Sequence, residues 1–175
     1  MSDRVIVCMG VSGTGKTSVA RRVAELLDAA FLEGDDLHPE ANVRIMASGS
    51  PLTDDDRWPW LRAVADAAAA CRKQGRAVVV TCSALRRAYR DLLTGRIGGD
   101  VLFVHLDADP DVLRSRLEGR TQHFMPASQL ADQLATLEPP GPDEHAVTID
   151  VDRPLDAVVD AVVDAVQAAV AAEGA

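Results

Sequence analysis

Residues Gly10-Val11-Ser12-Gly13-Thr14-Gly15-Lys16-Thr17 satisfy the pattern G-x-x-x-x-G-K-[ST] at every fixed position. Glycines let such a loop turn tightly and aim successive backbone N–H groups inward at phosphate oxygens. A helix beginning near Lys16 adds the positive end of its dipole. In loops of this kind the lysine ammonium reaches the β- and γ-phosphates of a nucleotide, and the following hydroxyl ligates Mg²⁺. Residues 10–18, from Gly10 through Ser18, are therefore the expected ATP-binding segment, with Lys16 as a catalytic cation and Thr17 as a metal ligand. At ordinary residue frequencies the fixed positions coincide by chance in roughly one window in 10⁴. The pattern also demands a context: a buried strand before it and a helix after it.

Both are present. Residues 4–9 (RVIVCM) form a continuous apolar run of the kind buried on both faces of a parallel sheet, and Val19, Val23, Leu26 and Leu27 recur at helical spacing over residues 16–27. The alternation continues along the chain. Further strands are expected at 30–33, 77–82, 101–106 and 147–150, and helices at 39–48, 54–74, 86–93, 110–119, 127–137 and 154–171. Strands alternating with helices of this length imply a parallel sheet covered on both faces. The expectation is one α/β domain over residues 1–175, with five parallel strands flanked by helices and a short lid at about 119–127.

With 18 Lys+Arg against 27 Asp+Glu the net charge is −9, which argues against a nucleic-acid partner. Lysine occurs only at positions 16 and 73, all other strong cations being arginine, so Lys16 marks a place that wants a compact ammonium. No apolar run approaches the roughly 18–20 residues that span a bilayer, and the N-terminus carries no signal-peptide pattern. Cys8, Cys71 and Cys82 have no metal-ligand spacing and read as thiols in a reducing cytoplasm.

A phosphate loop by itself specifies a nucleotide. The chain lacks the N-K-x-D that reads guanine and is short for a motor, which leaves small-molecule and nucleotide kinases. A nucleotide-binding regulatory module without turnover is the alternative from another class.

Beyond the loop, the segments FLEGDDLHP (31–39), Asn42, MASG (46–49), PLTDDDR (51–57), PWL (59–61), CSALR (82–86), YRD (89–91), His123-Phe124 and residues 150–155 together resemble the gluconate kinase family of small P-loop kinases. The block 34–61 is the most specific part. The resemblance implies a P-loop kinase fold with a short lid, transfer of the ATP γ-phosphoryl group to the C6 hydroxyl of gluconate with Mg²⁺, and a homodimer. Another acceptor of acidic or polyol character is the nearest rival.

Asp35 follows the second strand, at the edge where open α/β sheets bind ligands. It is the candidate to position the acceptor hydroxyl, take its proton or hold the metal. Asp36 beside it is equally a turn residue, and Asp107, ending the strand at 101–106, is a second acidic candidate. A gluconate carboxylate calls for a guanidinium, for which Arg44, Arg57 and Arg86 are the candidates, and His38 is a candidate for a sugar hydroxyl. Arg116 and Arg120, one helical turn apart, are expected at the nucleotide, Arg120 as a catalytic lid arginine, with His123 and Phe124 in the same loop. Arg153 lies where relatives of this fold pass the adenine. The run Asp54-Asp55-Asp56 reads as a solvated first turn that places Arg57, while His105, Trp58 and Trp60 read as packing residues.

Overall fold

The apolar run near the N-terminus forms the middle of the sheet. The structure, a computed structural model, describes residues 3–119 and 127–173. Its strands are β1 (Val5–Met9), β2 (Ala30–Glu33), β3 (Val78–Thr81), β4 (Val101–Asp107) and β5 (Ala146–Asp150). They form one parallel sheet in the order β2-β3-β1-β4-β5. Every residue of β1 is fully buried, because strands lie on both sides of it and helices cover both faces.

The helices are α1 (Lys16–Leu26), α2 (Glu40–Ala47), α3 (Asp54–Lys73), α4 (Arg87–Ile97), α5 (Pro110–Glu118), α6 (Ala127–Thr136) and α7 (Leu155–Glu173). Alternation along β1 divides the core. Val5, Val7 and Met9 pack with Leu61 and Val64 of α3 and Leu93 of α4, whereas Ile6 and Cys8 pack with Val19 and Val23 of α1 and Val158 and Val162 of α7. Full burial of each such side chain contributes about 1.5–3 kcal/mol. A smaller cluster of Val11, Leu85, Leu113, Leu117 and Leu130 seats the glycine-rich loop against α5 and α6.

Local signals act as their chemistry dictates. Thr53 and Asp56 form a capping box at the start of α3, and the Asp109 carboxylate caps α5 by accepting the Asp111 N–H at 2.8 Å. The expected helix at 86–93 instead runs from Arg87 to Ile97, tolerating Gly95, because Leu93 and Ile97 both bury against the sheet. It stops at Gly98, whose φ of 69° other residues rarely adopt. Cys8 and Cys82 are buried free thiols whose pKa burial pushes up to about 12, so they are inert; Cys71 is half-buried and also free.

The parallel registers set the ends of the central strands level with one another. Cys8 and Glu33 both pair with Thr81, and Met9 pairs with His105. The chain leaves β1 for β2 on one side and β3 for β4 on the other. The carboxyl edge beside β1 is thus the switch point at which such sheets bind ligands.

Candidate active site

Gly10 leaves β1 at φ 136°, and a Cβ there would stand 2.5 Å from the Leu106 carbonyl oxygen. Only glycine permits the loop to begin this close to β4. The Gly10 N–H donates to the Ser83 carbonyl, joining the loop to the end of β3. The Thr14 hydroxyl and the Lys16 ammonium both donate to the Val11 carbonyl at 3.0 Å, and α1 starts at Lys16. The resulting hollow is lined by Ser12, Gly13, Gly15, Lys16, Thr17, Ser18, Glu33 and Asp35. The expected loop residues therefore face one cleft, apart from Gly10, Val11 and Thr14, which hold its backbone in place.

Glu33, the last residue of β2, is a site residue the sequence reading missed. The Thr17 hydroxyl donates to Glu33 Oε2 at 2.8 Å, and the Thr81 hydroxyl donates to its Oε1. Sequence position alone pointed to Asp35, two residues on. The parallel register of β2 with β3 is what puts Glu33 beside Thr81 and within reach of α1.

A second cleft opens from the first, lined by Ser12, Lys16, Asp35, His38, Met46, Leu52, Arg57, Trp60, Ser83, Leu85, Gln129, Asp132 and Gln133 among others. Ser12, Lys16 and Asp35 line both clefts, so they mark the junction. Asp35 lies in a 3₁₀ turn spanning Gly34–Leu37. A Cβ at Gly34 would fall 1.9 Å from the Thr81 carbonyl oxygen, so this turn exists only because position 34 has no side chain. His38 follows, its side chain only 4% exposed, with Nε2 3.8 Å from Asp35 Oδ1. Burial lowers its pKa, with Asp35 opposing and Arg57 reinforcing the shift. Its Nδ1 lies 3.3 Å from the Asn42 amide.

At the far side stand two of the three candidate arginines. Arg57 donates to the Tyr89 hydroxyl at 3.1 Å and lies 3.6 Å from Asp54, while Arg86 Nε lies 3.7 Å from the same carboxylate oxygen. Tyr89 in turn donates to Asp54. The buried Arg86 Nε has no hydrogen-bond partner among the described residues. Asp54 is thus no mere solvated first-turn residue: it holds both guanidiniums. Arg57 and Arg86 line one further hollow, which shares Pro51, Leu52, Arg57 and Asp132 with the acceptor cleft.

Arg44, the third candidate, stands apart from the other two. It points from α2 into solvent, where it pairs with Glu40 at 3.4 Å, because the helical phase of α2 turns Asn42 inward instead. Asp36 and Arg153 are exposed, as is Asp107 at the end of β4. Arg116 is half-buried and donates to the Val151 carbonyl at 2.6 Å, bracing the segment after β5. Arg120, His123 and Phe124, with most of the expected lid, lie outside the described residues.

The segment from Ser83 to Arg86 is held under strain. Ala84 has φ 44°, and the buried Arg90 clamps it by donating to the Ala84 carbonyl at 3.0 Å while pairing twice with Glu144. Sequence reading also missed Gln129, Asp132 and Gln133 of α6, which enclose the acceptor cleft. Amphipathicity identifies such a helix but not the cleft its polar side closes.

A parallel sheet with a phosphate loop at its switch point, and an acceptor cleft opening from that loop, defines a P-loop kinase of small molecules. A family model described as an AAA domain matches residues 5–140. The thermoresistant gluconokinase of Escherichia coli (strain K12) is 50% identical over 156 residues, covering 88% of this chain and 88% of that protein. The gluconokinase of Gluconobacter oxydans (strain 621H) is 49% identical over 158 residues, covering 90% and 88%. The crystal structure of a gluconokinase from Sinorhizobium meliloti 1021 superposes with a TM-score of 0.83 at 48% identity, covering 91% of this chain and 89% of that one. The chain belongs to the gluconokinase family.

Proposed function

We propose that this enzyme transfers the γ-phosphoryl group of ATP to the C6 hydroxyl of gluconate, giving 6-phosphogluconate and ADP. The observation that carries the reading is the junction of the two clefts at Ser12, Lys16 and Asp35, with Arg57 and Arg86 on the acceptor side. The C6 oxygen attacks the γ-phosphorus, the bond to the ADP oxygen breaks, and the hydroxyl proton passes to the Asp35 carboxylate. Asp35 is exposed at the junction, where its carboxylate can accept that proton. Lys16 turns from the Val11 carbonyl to the β- and γ-phosphates and offsets the charge that spreads over the phosphoryl oxygens. Arg57 and Arg86 bind the substrate carboxylate, sharing Asp54 as their standing counter-charge.

The Thr17 hydroxyl and the Glu33 carboxylate, joined at 2.8 Å, are hard oxygen donors suited to Mg²⁺, with Asp35 in the same cleft. When bound there, the ion neutralises phosphate charge. Arg120 is assigned a catalytic cation's role at the phosphoryl group, and Arg116 and Arg153 the nucleotide side. No helix among the described residues is long and apolar enough to cross a membrane. The free thiols of Cys8, Cys71 and Cys82 support a cytoplasmic enzyme. A homodimer is the assembly the family resemblance implies, which light scattering tests.

The decisive assay measures ADP release from Mg-ATP with gluconate, shikimate, glycerate, glucose, adenylylsulfate or a nucleoside monophosphate as acceptor. Stimulation by gluconate alone supports the assignment. Stimulation by another acceptor would keep the phosphoryl-transfer chemistry and reassign the cleft.

A further inference from the structure

A side chain of α6 reaches the phosphate loop beside the junction of the two clefts. Gln133, on α6, lies 121 positions from Ser12 in sequence, and its Oε1 accepts the Ser12 N–H at 2.7 Å. Because that N–H is a donor, the amide must present its oxygen. Among the loop residues lining the phosphate cleft, only Ser12 and Lys16 also line the acceptor cleft. Backbone N–H groups of such loops serve phosphate oxygens. Because Ser12 lines both clefts, the oxygen its N–H would serve is one on the phosphoryl group that faces the acceptor. The Gln133 oxygen therefore stands in for a phosphate oxygen, and the two cannot share one N–H without repulsion.

The same helix grips the acceptor side. Gln129 Nε2 donates to the Met46 carbonyl of α2 at 3.3 Å, and Asp132 lines the acceptor cleft between these two contacts. The spacing of four residues puts Gln129 and Gln133 on one face of α6. α6 therefore bridges the phosphate loop and α2.

We infer that Gln133 is a positioning residue that distinguishes ATP from ADP. Its amide oxygen holds the Ser12 N–H while the terminal phosphoryl position is empty, and the γ-phosphate of ATP displaces it. ADP leaves the contact in place. Arrival of the transferable group thereby releases α6 from the loop at one end while Gln129 still holds it to the acceptor side. This rests on the ATP-binding reading of the loop and is independent of which acceptor is used.

The test is calorimetric titration, without acceptor, of Mg-ADP and of the Mg complex of the β,γ-imido analogue of ATP into wild type, Gln133→Ala and Gln133→Glu. Gln133 is half-buried on a helix, and alanine and glutamate both favour helix, so both variants fold. Loss of the competing oxygen in Gln133→Ala tightens the analogue about 3- to 10-fold relative to ADP. In Gln133→Glu the carboxylate holds the N–H harder and repels the γ-phosphate, weakening the analogue about 10-fold or more relative to ADP. Equal shifts for both nucleotides in both variants would overturn the inference and leave Gln133 a structural tie. Wild type that bound neither nucleotide would instead overturn the ATP reading itself, and this inference with it.

Discussion

His38 and Trp60 lie face to face, with ring centroids 4.2 Å apart and planes 15° from parallel. The Trp60 indole N–H donates to the Gly34 carbonyl at 2.8 Å. One buried side chain of α3 therefore fixes the backbone just before Asp35 and the imidazole just after it. Trp60 is more than a packing residue, because its polar edge aims the turn that carries the proposed base.

Trp60→Phe keeps an aromatic ring against His38 but leaves the buried Gly34 carbonyl without its donor. Unfolding stability should fall by about 1–3 kcal/mol in urea titrations, and kcat should fall while the KM for ATP changes little. Unaltered stability and kcat would show that the indole N–H does not position Asp35.

Acid should destabilise the enzyme in a window set by its buried histidines. Burial lowers the pKa of His38 and of His105 below the ordinary 6.5. Between that value and the depressed folded-state values, the unfolded chain binds more protons than the folded one, so stability falls as pH drops through this range. Carboxylates such as Asp56 and Glu144 are lowered from 3.8 and 4.5, so their contribution is lost only at more acid pH. Urea midpoints measured between pH 7.5 and 5.5 should decline, and His38→Gln should flatten the decline. An unchanged slope in that variant would remove His38 from the effect.

The three arginines should separate kinetically. Arg57→Ala and Arg86→Ala should each raise the KM for gluconate by about tenfold or more, as loss of a charged hydrogen bond does, with the KM for ATP nearly constant. Arg44→Ala should behave as wild type, since its guanidinium pairs with Glu40 in solvent. A large effect at Arg44 would mean that α2 rotates on binding substrate.

Glu33 and Asp35 should differ in what they limit. Glu33→Gln should raise the Mg²⁺ concentration needed for half-maximal rate several-fold, with partial recovery at high Mg²⁺. Asp35→Asn should spare ATP binding and reduce kcat by about 10²- to 10⁴-fold, without recovery. Rescue of both variants by Mg²⁺ would make Asp35 a metal ligand rather than the base.

Much of this protein was determined locally. The phosphate loop follows from glycines that alone tolerate its backbone angles, and the sheet follows from apolar runs too continuous for a strand with one wet face. The position of Asp35 at the carboxyl edge of the sheet was legible because it directly follows the second strand. The family-like block at 34–61 named the acceptor before any coordinates did. Tertiary structure decided the rest, because it depends on which distant segments meet. The register of β2 on β3 brings Glu33 to Thr17, and the phase of α2 sends Arg44 outward. The packing of α3 against α4 gathers Arg57, Tyr89 and Asp54. The seating of α6 sets Gln133 on the Ser12 N–H across 121 residues. Periodicity and spacing record what a residue's neighbours in sequence require, whereas a hydrogen bond between segments is fixed only when the core sets their separation and phase.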